Sequence, residues 1–268
     1  MLLNGINLLP ALVGQEYVAR QFYHNLGLTD QDLDSFFTGP VYQPWQRMGN
    51  LQGSWQHELL NTSAANELAY KNKFIDSQWA LQQHILTRLR EYGITAILPA
   101  FQGFVPQALT AKFPNAVFKK SSKWSGFPDE HTRVTYLLQT DPLFNNLTAQ
   151  YLKLQQELNG GYTSHYYLLD LFNELVPDCK TPECMRAITS SVTHALQSVD
   201  KDAVWAMQGW FLTTFPDVWT PAATSAYFAG IKDANGTPFI MDLAAESEGL
   251  AVWDNTDGFY GNDFGWSV

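Results

Sequence analysis

The sequence predicts an α/β fold built from parallel βαβ units, on three observations. Five short apolar runs alternate with longer stretches of helical periodicity. The 268 residues suit a single (β/α)8 TIM barrel, which takes about 250 residues. No glycine fingerprint for a dinucleotide or a triphosphate follows the first run, which counts against a nucleotide-binding open sheet. An eight-stranded barrel is thus the expected parent architecture, with an open doubly wound sheet as the alternative. Five strands do not close a barrel of eight, so a partial barrel of about five βα units, its closure incomplete, is expected.

Each element has its own signal. Gly5 to Leu9 reads as a short apolar strand, and Gln15 to Leu26 as an amphipathic helix. Thr29 and Asp30 suit the start of a short helix through Phe37. Residues 39–54, rich in Gly, Pro and polar side chains, read as loop. A long helix spans about Ala65 to Tyr92, stopped by Gly93. The run Ile94 to Leu98 is a strand ended by Pro99, and a helix covers about Pro106 to Lys112. Residues 113–142 show no periodicity and are too long for a plain connector, which marks a functional loop or a disordered one. A helix from Leu143 to Leu158 ends at Gly160-Gly161. Then come a buried-type strand over His165 to Phe172, a helix over Pro182 to Val199, a strand over Ala203 to Gln208, a helix over Pro221 to Ile231 and a strand over Phe239 to Leu243. The tail from Trp253 to Val268 is rich in Gly, Asp and aromatics without periodicity.

Composition narrows the function classes. A formal charge of −10 repels a phosphate backbone, so nucleic acid is not an expected partner. No apolar run has the length of a membrane span. Nine Trp, several beside turn residues, suit the flat apolar platforms of a carbohydrate site; the alternative is core packing. Cys179 and Cys184 flank a five-residue step in a Pro-rich loop and suit a small disulfide ring, two free thiols being the alternative. A structural zinc would want more Cys or His, and no metal or organic cofactor is suggested. Acceptor sequons at Asn61, Asn146 and Asn235, with the acidity and the Cys loop, favour a secretory-pathway origin. The stretch from Met1 to Asn4 lacks the charged and apolar regions of a signal peptide.

In barrel enzymes the functional groups sit at the C-terminal ends of the strands. The third strand is followed by Asn173-Glu174. A carboxyl group just after an apolar run can be partly desolvated, which favours its protonated form and suits it to donate to a leaving oxygen. The adjacent Asn can hydrogen-bond the substituent on a sugar's second carbon. Taken alone the pair reads first as a helix or loop cap.

The chain resembles the alpha-N-acetylglucosaminidase family at ordered blocks along nearly its whole length. These include Leu3 to Leu8, Gly14-Gln15-Glu16, Phe36 to Pro40, Trp45 to Leu51, Leu98 to Phe101 with Gly103 and Val105-Pro106, Phe172-Asn173-Glu174, Ala203-Val204-Trp205 with Gln208-Gly209-Trp210, and Asp242-Leu243 with Ala245-Glu246-Ser247. The resemblance implies a retaining glycoside hydrolase that releases terminal alpha-linked N-acetylglucosamine from glycans such as heparan sulfate, in a lysosomal or secreted setting. It implies Glu174 as the general acid/base and Asn173 as its substrate-binding neighbour, with Trp45, Trp124, Trp210 and Leu243 in the sugar pocket.

The same resemblance marks what the 268 residues lack. A retaining glycosidase needs a second carboxylate about 5–5.5 Å from the first. In the family this nucleophile is a Glu in a Pro-Glu-Gly-like motif downstream of the Asp-Leu block, and the sequence stops before one. Residues 1–268 thus read as one partial catalytic barrel domain, without the upstream strand region, the nucleophile-bearing part or a second domain, and inactive alone. Two alternatives stand beside this: a non-catalytic sugar-binding remnant, or another retaining barrel glycosidase with Glu246 as nucleophile, Glu248 and Asp242 being weaker choices.

Overall fold

A computed structural model describes residues 4–53, 64–162, 164–243 and 251–267. Six parallel strands form its main sheet: β1 (Leu8–Pro10), β2 (Thr95–Pro99), β5 (Tyr166–Leu168), β6 (Val204–Gln208), β7 (Thr237–Leu243) and β8 (Asp263–Ser267), hydrogen-bonded in that order. The register runs Leu8↔Thr95, Leu98↔Tyr167, Tyr166↔Val204, Val204↔Thr237 and Phe239↔Asp263. Each crossover carries helix: α1 (Gln15–Asn25), α2 (Asp30–Leu33), α3 (Gln43–Arg47) and α4 (Ala64–Glu91) before β2; α5 (Leu109–Lys112) and α6 (Pro142–Leu158) before β5; α7 (Pro182–Gln197) before β6; α8 (Pro221–Asp233) before β7; and α9 (Ala251–Asn255) before β8. The result is an open half-barrel with β1 and β8 as its outer strands, the incomplete closure expected of the sequence.

Local sequence explains where the helices start. Asp141-Pro142, Thr181-Pro182 and Thr220-Pro221 each place a capping oxygen before a proline. The side chains of Asp141, Thr181 and Thr220 accept from the backbone N–H groups of Leu143, Cys184 and Ala223. Proline suits the first helical position because its missing N–H would be unsatisfied there anyway. Thr29 and Asp32 form a reciprocal capping box for α2. Helices α7 and α8 meet at Gly230, where a Cβ would run into Thr189 Oγ1 and the Arg186 carbonyl. Cys179 and Cys184 are disulfide-bonded, with their Cα atoms 6.2 Å apart.

Several elements differ from the sequence expectation. The first strand is Leu8–Pro10, later than Gly5 to Leu9. The segment read as loop from residue 39 holds α3, entered through Pro44. The helix expected over Pro106 to Lys112 is helical only from Leu109. The strand expected to reach Phe172 ends at Leu168, after which the chain bends while Leu169, Leu171 and Phe172 stay buried. An apolar run records burial, and burial is the same in a bend as in a strand. The tail supplies β8, which joins the sheet through β7.

The unperiodic segment 113–142 contains an antiparallel hairpin, β3 (Phe118–Lys120) and β4 (Thr135–Leu137), in register Phe118↔Leu137. It is pinned to the turn after β2 by Leu137 N–H to the Gly103 carbonyl at 2.8 Å and Val105 N–H to the Thr135 carbonyl at 2.9 Å. The loop between its strands, residues 121–134, is thereby held at the C-terminal rim of the sheet.

Candidate active site

Glu174 lies half-buried in a tight turn after β5, closed by Leu175 N–H donating to the Phe172 carbonyl at 2.6 Å. Its carboxylate oxygen Oε2 accepts two hydrogen bonds, from Asn50 Nδ2 at 2.6 Å and from Trp124 Nε1 at 2.6 Å. Charge-assisted bonds of this length are the strong kind, and neither uses Oε1. Asn173 takes a left-handed backbone, φ 42°, which Asn tolerates better than most residues. Its Nδ2 donates to Asn50 Oδ1 at 3.4 Å, and its Oδ1 is buried with no hydrogen-bond partner among the described residues.

Asn50 is the hub. It is fully buried, and its N–H donates to the Trp45 carbonyl at 2.9 Å in the turn that ends α3. The turn depends on Gly49, whose φ is +77° and where a Cβ would be driven into the Phe104 ring. Below it, Arg47 holds α3 to α1 through a two-pronged ion pair with buried Glu16, Nε to Oε1 at 2.7 Å and Nη2 to Oε2 at 2.8 Å. The Asn50 segment is also joined to the hairpin loop by Gln52 N–H to the His131 carbonyl at 2.9 Å. Ser122 Oγ accepts from Val176 N–H at 3.1 Å, which ties that loop to the Glu174 turn.

The tryptophans differ in burial. Trp205 and Trp219 are buried core. Trp45, Trp124 and Trp210 are all partly exposed. Trp45 and Trp124 face each other at 6.2 Å between ring centroids, and Phe127 stacks on Trp124 at 5.4 Å. Tyr42 completes the cluster, 5.5 Å from Phe127 and 6.4 Å from Trp45.

Trp210 opens a 3-10 turn after β6, and its Nε1 donates to Gln208 Oε1 at 2.6 Å. Gln208 Nε2 in turn donates to Asp170 Oδ2 at 2.7 Å, and Gln208 N–H to Asp170 Oδ1 at 3.0 Å. Burial pushes the Asp170 carboxyl up to about 6, against the lowering pull of the two bonds from Gln208. Met48 Sδ lies 3.9 Å from Gln208 Nε2, so the Trp210 group adjoins the Met48-Gly49-Asn50 turn that holds Glu174.

The structure therefore gathers Glu174, Asn173, Trp45 and Trp124 around Asn50 and sets Trp210 beside them. Leu243 ends β7, two residues beyond Met241, which pairs with Gln208; it shares the rim by position alone. Glu246 and Glu248 lie outside the described residues. Asp242 is buried within β7. Sequence reasoning did not single out Asn50, Tyr42, Phe127, Asp170 or Gln208 as site residues, although Asn50 and Gln208 stand inside the quoted blocks. His165, Asp200 and Asp202 bring possible metal ligands together at the opposite ends of the strands. There Asp200 is engaged by Tyr167 Oη at 2.8 Å, His165 Nδ1 at 2.8 Å and Asp202 N–H at 3.1 Å.

The chain matches known proteins along its whole length. Residues 1–268 match the model of the alpha-N-acetylglucosaminidase (NAGLU) tim-barrel domain. The chain is 36% identical over 268 residues to human alpha-N-acetylglucosaminidase, covering 100% of itself and 34% of that protein. A family 89 glycoside hydrolase from Clostridium perfringens in complex with PUGNAc superposes with a TM-score of 0.71 at 22% identity, covering 98% of the chain and 26% of that enzyme. A doubly Glu-to-Gln variant of a Clostridium perfringens family 89 enzyme, in complex with its substrate GlcNAc-alpha-1,4-galactose, superposes at 0.68 with 22% identity, covering 90% of the chain and 24% of that enzyme. The chain thus spans about a third of the human relative's length, and by its match from first residue to last it belongs to the alpha-N-acetylglucosaminidase TIM-barrel domain family.

Proposed function

We propose that the chain carries the acid/base half of a retaining alpha-N-acetylglucosaminidase site, acting on terminal alpha-linked N-acetylglucosamine in glycans such as heparan sulfate. One observation carries this reading: Trp124 and Asn50, from separate stretches of chain, converge on one oxygen of Glu174. With the lone pairs of Oε2 engaged by two donors, a proton on Oε1 is the one poised for transfer to a glycosidic oxygen. Asn173, immediately before Glu174 and bonded to the same Asn50 side chain, is its proposed substrate-binding neighbour. Trp45, Trp124 and Trp210, with Leu243 on the same rim, supply apolar faces for the ring. A retaining reaction also needs a nucleophilic carboxylate at about 5–5.5 Å, which the remainder of a barrel of the relatives' length would supply. The disulfide and the exposed sequons Asn146 and Asn235 support a lysosomal or secreted protein; Asn61 lies outside the described residues.

Titration of the chain with PUGNAc and with 2-acetamido-1,2-dideoxynojirimycin, the ligands of two such Clostridium perfringens complexes, tests the reading. Binding is expected to quench tryptophan fluorescence. Trp124→Phe, which keeps the ring and removes the bond to Glu174, is expected to weaken binding about tenfold. Absence of binding at millimolar ligand in a folded chain would overturn the proposal. Turnover of a chromogenic alpha-N-acetylglucosaminide, abolished in Glu174→Gln, would establish catalysis in this chain. Binding without turnover is the result expected of an acid/base half to which no nucleophilic carboxylate is supplied.

A further inference from the structure

Gln208 stands between two side chains of fixed polarity. The Asp170 carboxylate only accepts hydrogen bonds and the Trp210 indole only donates. A single orientation of the Gln208 amide satisfies both, with Nε2 toward Asp170 at 2.7 Å and Oε1 toward Trp210 Nε1 at 2.6 Å. The second carboxylate oxygen takes the Gln208 backbone N–H at 3.0 Å, so Asp170 grips the residue at both ends. Asp170 is buried at the base of this relay, while Trp210 at its tip is half-exposed.

We infer that Asp170 is a positioning residue which, through the Gln208 amide, sets the orientation of the Trp210 indole at the rim. Its functional weight rests on the reading of Trp210 as part of the sugar pocket. Protonation reverses the relay. An O–H on Asp170 calls for the amide oxygen, the amide turns over, and Nε2 then meets the indole N–H donor to donor. The reversal falls near pH 6, where burial has moved this carboxyl. Among the described residues, the Tyr227 phenol of α8 is an ionisable group coupled to Asp170. Burial first, and then Asp170, raises it well above its ordinary range, so it stays neutral throughout.

The indole N–H resonances of the 15N-labelled chain read the relay without any ligand. Trp210→Phe assigns the Trp210 signal. Trp205 Nε1–H, bonded to the Leu169 carbonyl at 2.9 Å, serves as reference one residue from Asp170. The expected result is a Trp210 signal that titrates with a midpoint of about 6, with about tenfold faster solvent exchange on the acid side and Trp205 unmoved. Asp170→Asn, which places a donor where the carboxylate accepted, is expected to hold Trp210 at the acid position at every pH. Should that variant not fold, the wild-type titration decides alone, and Gln208→Leu, with the carboxylate intact, is expected to erase the inflection. A Trp210 signal with no inflection near that midpoint, or one that moves together with Trp205, would overturn the inference. Affinity for 2-acetamido-1,2-dideoxynojirimycin is expected to fall about tenfold below the midpoint. A titrating Trp210 with no sugar binding at any pH would leave the relay standing and remove the sugar-pocket reading.

Discussion

Raising the pH from 4 to 7 is expected to cost the folded chain stability through Asp170 alone. Its carboxyl is fully buried, and burial lifts it from the ordinary 3.8 to about 6. The folded state therefore holds this proton more tightly than the unfolded chain does. Between these two values folding takes up a proton, so the contribution is largest below the unfolded value, declines as the pH rises through the window, and is flat above it. A shift of roughly two units at 1.36 kcal/mol each corresponds to about 3 kcal/mol, with no discount for screening because the group is buried. Urea unfolding at half-unit steps across this range measures it, in the wild type and in Asp170→Asn. Because pH 4 already lies just above the unfolded value, the difference between the two curves is expected to change by about 2 kcal/mol across this range, the wild type losing ground as pH rises. A difference that stays flat through the window, or that favours the wild type more at higher pH, would refute the reasoning.

Two further predictions concern the frame of the site. Gly49→Ala adds a Cβ at φ +77° against the Phe104 ring; a loss of about 2–4 kcal/mol in urea unfolding, with loss of PUGNAc binding, is expected because Asn50 is displaced. Replacing Cys179 and Cys184 together by Ser frees the turn before α7; the chain-entropy cost of so short a ring predicts a loss of about 2 kcal/mol, measured against the reduced and oxidised wild type.

Much of the architecture was legible in local sequence. Strands β2, β6 and β7 follow apolar runs bounded by Pro or Gly, and α6, α7 and α8 each begin with a capping residue followed by Pro. The hairpin strands were not legible: β3 and β4 exist because they pair with each other and with the turn after β2, a tertiary cause with no local trace. Strand β8 is hidden for a related reason, since Asp263-Phe264-Gly265-Trp266-Ser267 has one weak alternation and becomes a strand through its partner. At the candidate site, Glu174, Asn173, Trp45, Trp124 and Trp210 were singled out on the resemblance and the strand-end rule. Asn50 was quoted within the Arg47-Met48-Gly49-Asn50 block, yet its role as hub depends on a contact that no spacing encodes. Asp170 was hidden inside an apolar run, where a carboxylate reads as an exception to be buried and paired but does not name its partner.

The bond between Asn50 and Glu174 joins residues 124 positions apart. Loop closure over such a span is entropically costly and is completed only after nearer contacts have formed. During synthesis, Asn50 emerges long before the carboxylate it will hold, and the hairpin loop bearing Trp124 must be docked in between. The Glu174 carboxylate is therefore among the last features of the sheet to acquire its geometry, and it is sensitive to lesions that act on assembly. A substitution in α1 that unseats Arg47, or one in the hairpin that frees Ser122, would reach Glu174 without touching it. Variants that slow folding and variants that blunt the site would then be hard to tell apart by yield of binding-competent protein, and easy to tell apart by the orientation of one carboxylate in the fraction that folds.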